Sequence, residues 1–125
     1  MGRVTGLGVW FWVAVAGALG AVARFVVDGH VLARTGGRLP WGTALINLTG
    51  AFVLGIIAGA APGHAVALIV GTGFLGAYTT FSTWMLETLL LGESGRQTAA
   101  VLNVVGQLVV GLAIAGIGFG LGLQW

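Results

Sequence analysis

Four long apolar runs separated by short turns dominate this chain and restrict it to a membrane fold. Of its 125 residues, 58% are hydrophobic and only 6% are charged, whereas a soluble domain carries about 25% charged residues. Such a chain cannot cover a globule with polar surface, so we expect lipid to be its solvent. Because a helix needs about 20 apolar residues to cross a bilayer, we predict four transmembrane helices and a single all-α domain over residues 1–125.

Turn residues set the predicted limits of the spans. Asp28-Gly29-His30 is expected to close the first span, Pro62-Gly63 the second, and the glycines around Glu93 the third. The first apolar run is too long for the hydrophobic region of a signal peptide, so we predict a span there instead. The four predicted spans cover residues 7–27, 41–61, 64–91 and 97–123.

The arginines give a weak orientation signal. Arg34, Arg38 and Arg96 lie in the first and third predicted loops, and Arg3 lies on the other side. The excess of positive charge mildly favours cytoplasmic first and third loops. A bias this small is also typical of a chain that inserts in either orientation.

The third span is interrupted by glycines, hydroxyls and aromatic rings between Gly73 and Trp84. We predict a helix break near residues 76–80. Polar groups at membrane depth cost several kcal/mol each unless protein or a water-filled path satisfies them. Freed carbonyls at a break can hold a cation. Phe81 and Trp84 share a face if the helix resumes, and their electropositive ring edges can face an anion. The segment therefore indicates an ion or substrate path.

Two charged residues within or near the spans have more than one interpretation. Arg24 either reaches the interface with its long side chain or places a fixed positive charge at the mouth of an anion path. Asp28, four residues on, is positioned to pair with it. Glu87 either reaches the loop, pairs with an arginine or lines a vestibule.

Amide side chains mark the second and fourth spans. Asn47 shares a helix face with Thr43 and Gly50. It serves either as a contact between helices or as a functional donor. Asn103 and Gln107 are four residues apart and form a polar stripe that we expect to face the bundle, since lipid exposure is the costliest option.

Catalysis has no support in the sequence. There are no cysteines, and we find no nucleophile–base pair, phosphate loop or paired carboxylates. No basic patch with interleaved aromatic residues indicates nucleic-acid binding. We therefore predict a protein that is not an enzyme.

Three motifs resemble the signatures of the CrcB/Fluc family of fluoride channels. They follow one another in the family's order and the resemblance covers nearly the whole chain. The motifs are Gly17-x-x-Gly20-Ala21-x-x-Arg24, Thr43-x-x-x-Asn47-x-x-Gly50 and Gly73-Phe-x-Gly76-x-x-Thr79-Thr-Phe-Ser-Thr83.

The resemblance implies a dual-topology architecture, in which two four-helix subunits assemble antiparallel and two fluoride pores form between them. Fluoride then leaves the cytoplasm passively across the cell membrane, which lowers its toxicity. It also implies a structural sodium ion (Na+) at the dimer centre, bound by backbone carbonyls that correspond by motif position to Gly76 and Thr79.

Site residues also follow from the resemblance. Arg24 takes the positive vestibule position, Asn47 the pore amide and Phe81 the first pore phenylalanine. The hydroxyl-rich segment around the pore corresponds to Thr80, Ser82 and Thr83.

Three positions depart from the family's pattern. Trp84 stands where a second phenylalanine is usual, and Asn103 and Gln107 stand where a tyrosine and a serine are frequent. We include all three in the predicted fluoride path.

Alternatives remain open at this point. A homodimer is favoured, and an obligate heterodimer with a paralogous subunit of opposite orientation is the main alternative. A small multidrug-type transporter needs a glutamate in the first span, which has Arg24 instead. A purely structural membrane subunit leaves the third-span motif unexplained.

Overall fold

A computed structural model of the chain describes residues 2–125 and is helical throughout its regular structure. Four helical spans are long and apolar enough to cross a membrane, which confirms the all-α, four-span prediction. Helix α1 covers Gly2–Thr35 and α2 covers Trp41–Ala60. The third span contains α3 (His64–Val66), a π-helical segment (Ala67–Leu75), α4 (Gly76–Tyr78) and α5 (Ser82–Glu93). The fourth contains α6 (Gln97–Val101), a second π-helical segment (Leu102–Gly106) and α7 (Gln107–Gly122).

The first helix is longer than predicted. It continues through Asp28 and His30 to Thr35, so the prediction that Asp28-Gly29-His30 closes the span was wrong. A single glycine does not stop a helix, and His30 Nδ1 donates to the Val26 carbonyl 2.8 Å away within the same helix. The helix ends at Gly36 and Gly37, which both have a φ of 74°, a conformation that glycine adopts readily.

Helices α2 and α7 form the closest helix pair because glycines on each meet the backbone of the other. A methyl group at Gly55 would overlap the Ala115 carbonyl oxygen, and one at Gly118 would overlap the Phe52 carbonyl oxygen. Gly59 and Gly122, one turn further along, are equally close to the facing helix. The ridges Gly55-x-x-x-Gly59 and Gly118-x-x-x-Gly122 therefore bring these helices into backbone contact.

A third ridge, Gly116-x-x-x-Gly120, has a different environment. A methyl group at either glycine would meet no atom of the described chain within 4 Å. This ridge lies on the outward face of α7 and takes no part in packing within the subunit.

Helix α1 packs against the third span through the first sequence motif. The Phe74 carbonyl approaches Gly20 so closely that a methyl group there would overlap it, and Gly73 lies against the Val13 backbone. The π-helical segment Ala67–Leu75 is thereby held along α1.

The first and third loops lie at the same end of the bundle, as four antiparallel spans require. Arg96 Nη1 donates a hydrogen bond to the Arg38 carbonyl and ties the two loops together. The side chain of Arg3, which counts toward the orientation signal, lies outside the described side chains.

Most large apolar side chains point outward. Phe25 is 81% exposed, whereas the buried core is limited to a few residues such as Ile46 and Leu75. Burying apolar surface is the main driving force of folding in water, and this subunit leaves that surface for lipid or for another protein chain.

We predict that Gly55→Ala destabilises the subunit and that Gly116→Ala does not. The methyl group at position 55 would overlap the Ala115 backbone, and overpacking of this kind costs about 1–3 kcal/mol. Position 116 is open, and alanine is the better helix former there by about 1 kcal/mol. Thermal unfolding in detergent measures both effects. Equal midpoints for Gly55→Ala and the unchanged protein would contradict the packing described here.

Candidate functional site

The third span breaks at residues 79–81, inside the polar segment. Thr79 is extended, with φ −78° and ψ 160°, and α5 begins at Ser82. The predicted helix break is thus confirmed. It lies later than the predicted residues 76–80, because Gly76 to Tyr78 still form a helical turn. Glycines suggested the earlier position, whereas the chain leaves the helix where a side chain of α2 replaces its helical bonds.

That side chain is Asn47. Its Oδ1 accepts the Thr80 N–H at 2.9 Å, and its Nδ2 donates to the Thr80 carbonyl at 2.9 Å. One amide therefore satisfies both backbone groups of a buried residue that has left the helix. An unpaired buried backbone group costs about 1–3 kcal/mol, so Asn47 stabilises the break directly.

The side chain of Thr80 starts the next helix. Its Oγ1 accepts the Thr83 N–H at 3.2 Å and donates to Thr83 Oγ1 at 3.2 Å. A threonine that accepts the N–H three residues on satisfies one of the free donors at a helix start. Hydrogen bonds therefore satisfy backbone groups both at the centre of the break, at Thr80, and at the start of α5.

The carbonyls on the amino-terminal side of the break have lost their helical donors. Thr80 N–H, which would bond Gly76 in a continuous helix, bonds Asn47 instead. Thr83 N–H, which would bond Thr79, bonds Thr80 Oγ1. Among the described residues no backbone N–H donates to the Gly76 or Thr79 carbonyl. Both oxygens therefore remain able to accept a ligand.

The glycine of the second motif gives the break room. A methyl group at Gly50 would overlap Thr79 Cγ2, so only glycine lets α2 approach the extended residue. Thr79 Oγ1 meanwhile donates to the Leu75 carbonyl at 2.8 Å. The second and third motifs are thus joined by direct contacts.

Phe81, the last residue of the break, lies beside Trp84 on α5, as predicted. Their ring centroids are 5.9 Å apart and the rings are nearly perpendicular, at 89°. Phe81 is 69% exposed. Trp84 Nε1 donates to the Asn103 carbonyl, 2.8 Å away in the π-helical segment of the fourth span.

The three amides form one hydrogen-bonded chain. Gln107 Nε2 donates to Asn103 Oδ1 at 2.7 Å, and Asn47 Nδ2 donates to Gln107 Oε1 at 3.4 Å. Asn103 Nδ2 donates to Thr88 Oγ1 at 2.9 Å. Asn103 is buried and Gln107 half-buried, which confirms that the stripe on the fourth span faces the bundle.

Glu87, also on α5, directs its carboxylate toward α2. Thr43 Oγ1 donates to its Oε1 at 2.8 Å, and its Oε2 is buried without a hydrogen-bond partner in the described part of the chain. Glu87 also lines a cavity of about 380 Å³ with Asp28 and residues of the first loop. Of the three interpretations of Glu87, the vestibule-like position agrees best with this environment.

Asp28 is directed toward α2. Its Oδ1 lies against Gly42, where a methyl group would overlap it. Among the residues that the structure describes, no hydrogen bond or ion pair joins Asp28 to Arg24, which is half-buried on α1. The predicted pairing of the two does not form.

A cavity of about 430 Å³ opens at the break. It brings together many of the predicted site residues, while Arg24, Ser82 and Thr83 do not line it and Asn103 lines a neighbouring cavity of about 650 Å³. The polar and aromatic residues that line the first cavity are Asn47, Thr79, Thr80, Phe81, Trp84 and Gln107.

Two contacts of the site were not anticipated from the sequence. Thr88 accepts from Asn103, and Thr43 bonds Glu87. The only signal for Thr88 is its position one turn after Trp84, whose carbonyl its hydroxyl also bonds at 2.8 Å.

Comparison with known proteins agrees with these motifs. A family model described as "CrcB-like protein, Camphor Resistance (CrcB)" matches residues 11–119. A relative in Mycolicibacterium paratuberculosis, named fluoride-specific ion channel FluC 2, is 50% identical over 92% of this chain and 94% of its own.

Other relatives carry the same kind of name. A fluoride-specific ion channel FluC 2 of Mycobacterium tuberculosis is 48% identical over 94% of this chain and 89% of its own. A FluC 1 protein of Symbiobacterium thermophilum is 41% identical over 93% and 97%. Ion conduction is a non-enzymatic function, so these names agree with the prediction that the chain is not an enzyme. The chain is a multi-pass membrane protein that belongs to the CrcB-like family of fluoride-specific ion channels.

Proposed function

We propose that this chain is a subunit of a channel that lets fluoride leave the cytoplasm passively, down its gradient. The observation that carries the proposal is the broken third span, whose polar and aromatic residues open onto a cavity between α2, α5 and α7. Relatives that share about half of the sequence are named fluoride-specific ion channels.

The chemistry of the site suits a small, strongly hydrated anion. A pore for such an ion must replace water with hydrogen-bond donors while binding weakly enough to release the ion. Amide and hydroxyl groups supply donors, and the exposed Phe81 ring supplies an electropositive edge. Arg24 is half-buried on α1 and lines neither cavity, and we propose that it adds one positive charge at the approach to the path without a cluster that would trap the anion.

The complete pore requires a second subunit. Phe81 lines the cavity at the break and is largely exposed, so a single subunit leaves one side of the path open. We propose that two copies associate antiparallel, with one fluoride path on each side of the interface. The weak arginine bias is compatible with insertion in both orientations.

A sodium ion fits the carbonyls at the break. The Gly76 and Thr79 oxygens accept no backbone hydrogen bond from the described residues, and carbonyl oxygens at an unwound helix are suitable ligands for Na+. We propose that these carbonyls from both subunits hold one sodium ion, which neutralises the facing dipoles and holds the subunits together.

The direct test is fluoride efflux from proteoliposomes. The purified chain is reconstituted into liposomes loaded with fluoride, and efflux is followed with a fluoride electrode after the membrane potential is collapsed. We expect rapid fluoride efflux and no comparable chloride efflux. Absence of efflux from the single chain would exclude the homodimeric channel, and efflux restored by a paralogous subunit of opposite orientation would establish a heterodimer.

Phe81→Ile should suppress fluoride flux with the dimer intact. Loss of an aromatic edge contact worth about 1.4 kcal/mol corresponds to roughly a tenfold change. Phe25→Ile is the matched control, since Phe25 is 81% exposed on α1 and lies outside the cavity at the break. Efflux measures the flux and size-exclusion chromatography measures the dimer. Equal flux in both variants would remove Phe81 from the path.

Sodium should stabilise the dimer specifically. An ion that binds only the assembled state stabilises it by about 2.7 kcal/mol at one hundred times its dissociation constant. Thermal unfolding is therefore compared in sodium and potassium salts at equal ionic strength. A higher midpoint in sodium is expected, and identical midpoints would contradict a sodium site at Gly76 and Thr79.

A further inference from the structure

The donors of the amide chain can be counted individually. A primary amide has two N–H groups. Asn47 Nδ2 gives one to the Thr80 carbonyl and the other to Gln107 Oε1. Asn103 Nδ2 faces Thr88 Oγ1 at 2.9 Å and the Trp84 carbonyl at 3.5 Å. Gln107 Nε2 uses only one, toward Asn103 Oδ1.

The backbone of Thr80 fixes the direction of this chain. Its N–H must face an oxygen and its carbonyl must face a nitrogen, so the amide of Asn47 has only one satisfactory orientation. The nitrogen of Asn47 then requires the oxygen of Gln107, and the nitrogen of Gln107 requires the oxygen of Asn103. Amide orientations are assigned from such networks. Here the Thr80 backbone sets the orientation of Asn47, which in turn sets those of Gln107 and Asn103.

The indole of Trp84 is not a spare donor either. Its one N–H bonds the Asn103 carbonyl, and indole has no other. Within this cluster the second N–H of Gln107 is therefore the one uncommitted amide or indole donor among the described residues.

Gln107 also has a distinctive position. It lines both the cavity of about 430 Å³ at the break and the cavity of about 650 Å³ next to it. Asn47 and Trp84 line only the first of these cavities, and Asn103 only the second. Leu48 also lines both cavities, so Gln107 is the polar side chain that they share.

We propose that Gln107 donates the amide N–H that fluoride meets between the two cavities, while Asn47 clamps the break and Trp84 positions Gln107 through Asn103. This inference rests on the proposed function. Gln107 is then the anion donor, whereas the N–H groups of Asn47 and Trp84 donate to other groups of the protein.

Trp84 acts as a positioning residue through the fourth span. Its bond to the Asn103 carbonyl connects α5 to the π-helical segment Leu102–Gly106, and Gln107 follows that segment directly. The Asn103 side chain then holds Gln107 Nε2 at 2.7 Å. The three residues that depart from the family's usual pattern thus form one bonded unit.

Side-chain amide NMR tests the assignment of the donor. The chain has only three glutamines (Gln97, Gln107 and Gln124) and two asparagines (Asn47 and Asn103), so selective nitrogen-15 labelling gives five amide groups that single substitutions assign. On fluoride titration of the full chain, one proton of the Gln107 amide should shift and the Asn47 amide should not. A shift at Asn47 without one at Gln107 would overturn the proposal.

Flux measurements add a functional test. Gln107→Glu keeps an oxygen for Asn47 but removes both N–H groups, and flux should fall about tenfold or more, as expected for loss of a hydrogen bond to a charged group. Gln124→Glu makes the same change at an exposed position beyond α7 and should leave flux unchanged. Equal flux in both variants would overturn the proposal.

A further variant covers the case in which Gln107→Glu fails to assemble. Gln107→Asn keeps the amide but shortens its reach by one methylene group, and it should reduce flux as well. Efflux from the unchanged protein separates the two hypotheses. If the unchanged protein conducts fluoride and substitutions at Gln107 leave the flux unchanged, only the inference about Gln107 is excluded. If the unchanged protein shows neither fluoride efflux nor a fluoride-dependent amide shift, the proposed function is excluded too.

The positioning role of Trp84 needs a readout of coupling. Trp84→Phe removes the indole N–H and should diminish the fluoride-dependent shift of the Gln107 amide. Combined with Gln107→Glu it should reduce flux little further, because residues that act through one another are not additive. Additive losses, or an unchanged Gln107 shift, would show that Trp84 does not act through Gln107.

Discussion

The two hydrogen bonds between Asn47 and the Thr80 backbone are the interaction on which the rest of the site depends. Inside a bilayer a chain can leave the helix only where another group satisfies its backbone. Asn47 does so from α2, and this lets Thr79 extend, frees the carbonyls before the break and turns Phe81 outward. Without this amide the Thr80 backbone groups would lack partners, which would favour closure of the third span into a continuous helix.

Close backbone packing supports that interaction. Gly50 lets α2 approach Thr79, and Gly55 with Gly118 lets α2 approach α7. Each contact needs glycine for the same reason, since a methyl group would overlap an atom of the facing span. The abundance of glycine in this chain is therefore not a sign of flexibility. It fixes the spacing at which one amide on α2 reaches both the third and the fourth span.

Much of the architecture could be predicted from the sequence, because the long apolar runs and the turns that separate them define the spans. The second, third and fourth spans end within two residues of their predicted limits. The end of α1 was missed because Asp28-Gly29-His30 resembles a turn, although nothing there prevents a helix. Both π-helical segments were also missed, since no sequence pattern that we used distinguishes them from α-helix.

The site was predictable as a set of residues but not as a bonded network. Helical spacing placed Asn103 beside Gln107, and the motifs singled out Asn47 and Phe81. Spacing could not show that Asn47 reaches Thr80 or that the Trp84 indole bonds the fourth span, because these contacts join residues 33 and 19 positions apart. The departures at Trp84, Asn103 and Gln107 looked like three separate substitutions and are explained together by their hydrogen bonds.

We infer that the residues at the break face water in the middle of the membrane, along the path that we propose for fluoride. The chain has no cysteine, so single cysteines report on this directly, and a thiol needs water to ionise and react. In bilayers, Phe81→Cys, at a position that lines the cavity at the break, should react readily with a water-soluble thiol reagent, whereas Leu19→Cys, at a position 59% exposed on α1, should remain protected by lipid. Equal protection of both cysteines would contradict a hydrated anion path at the broken span.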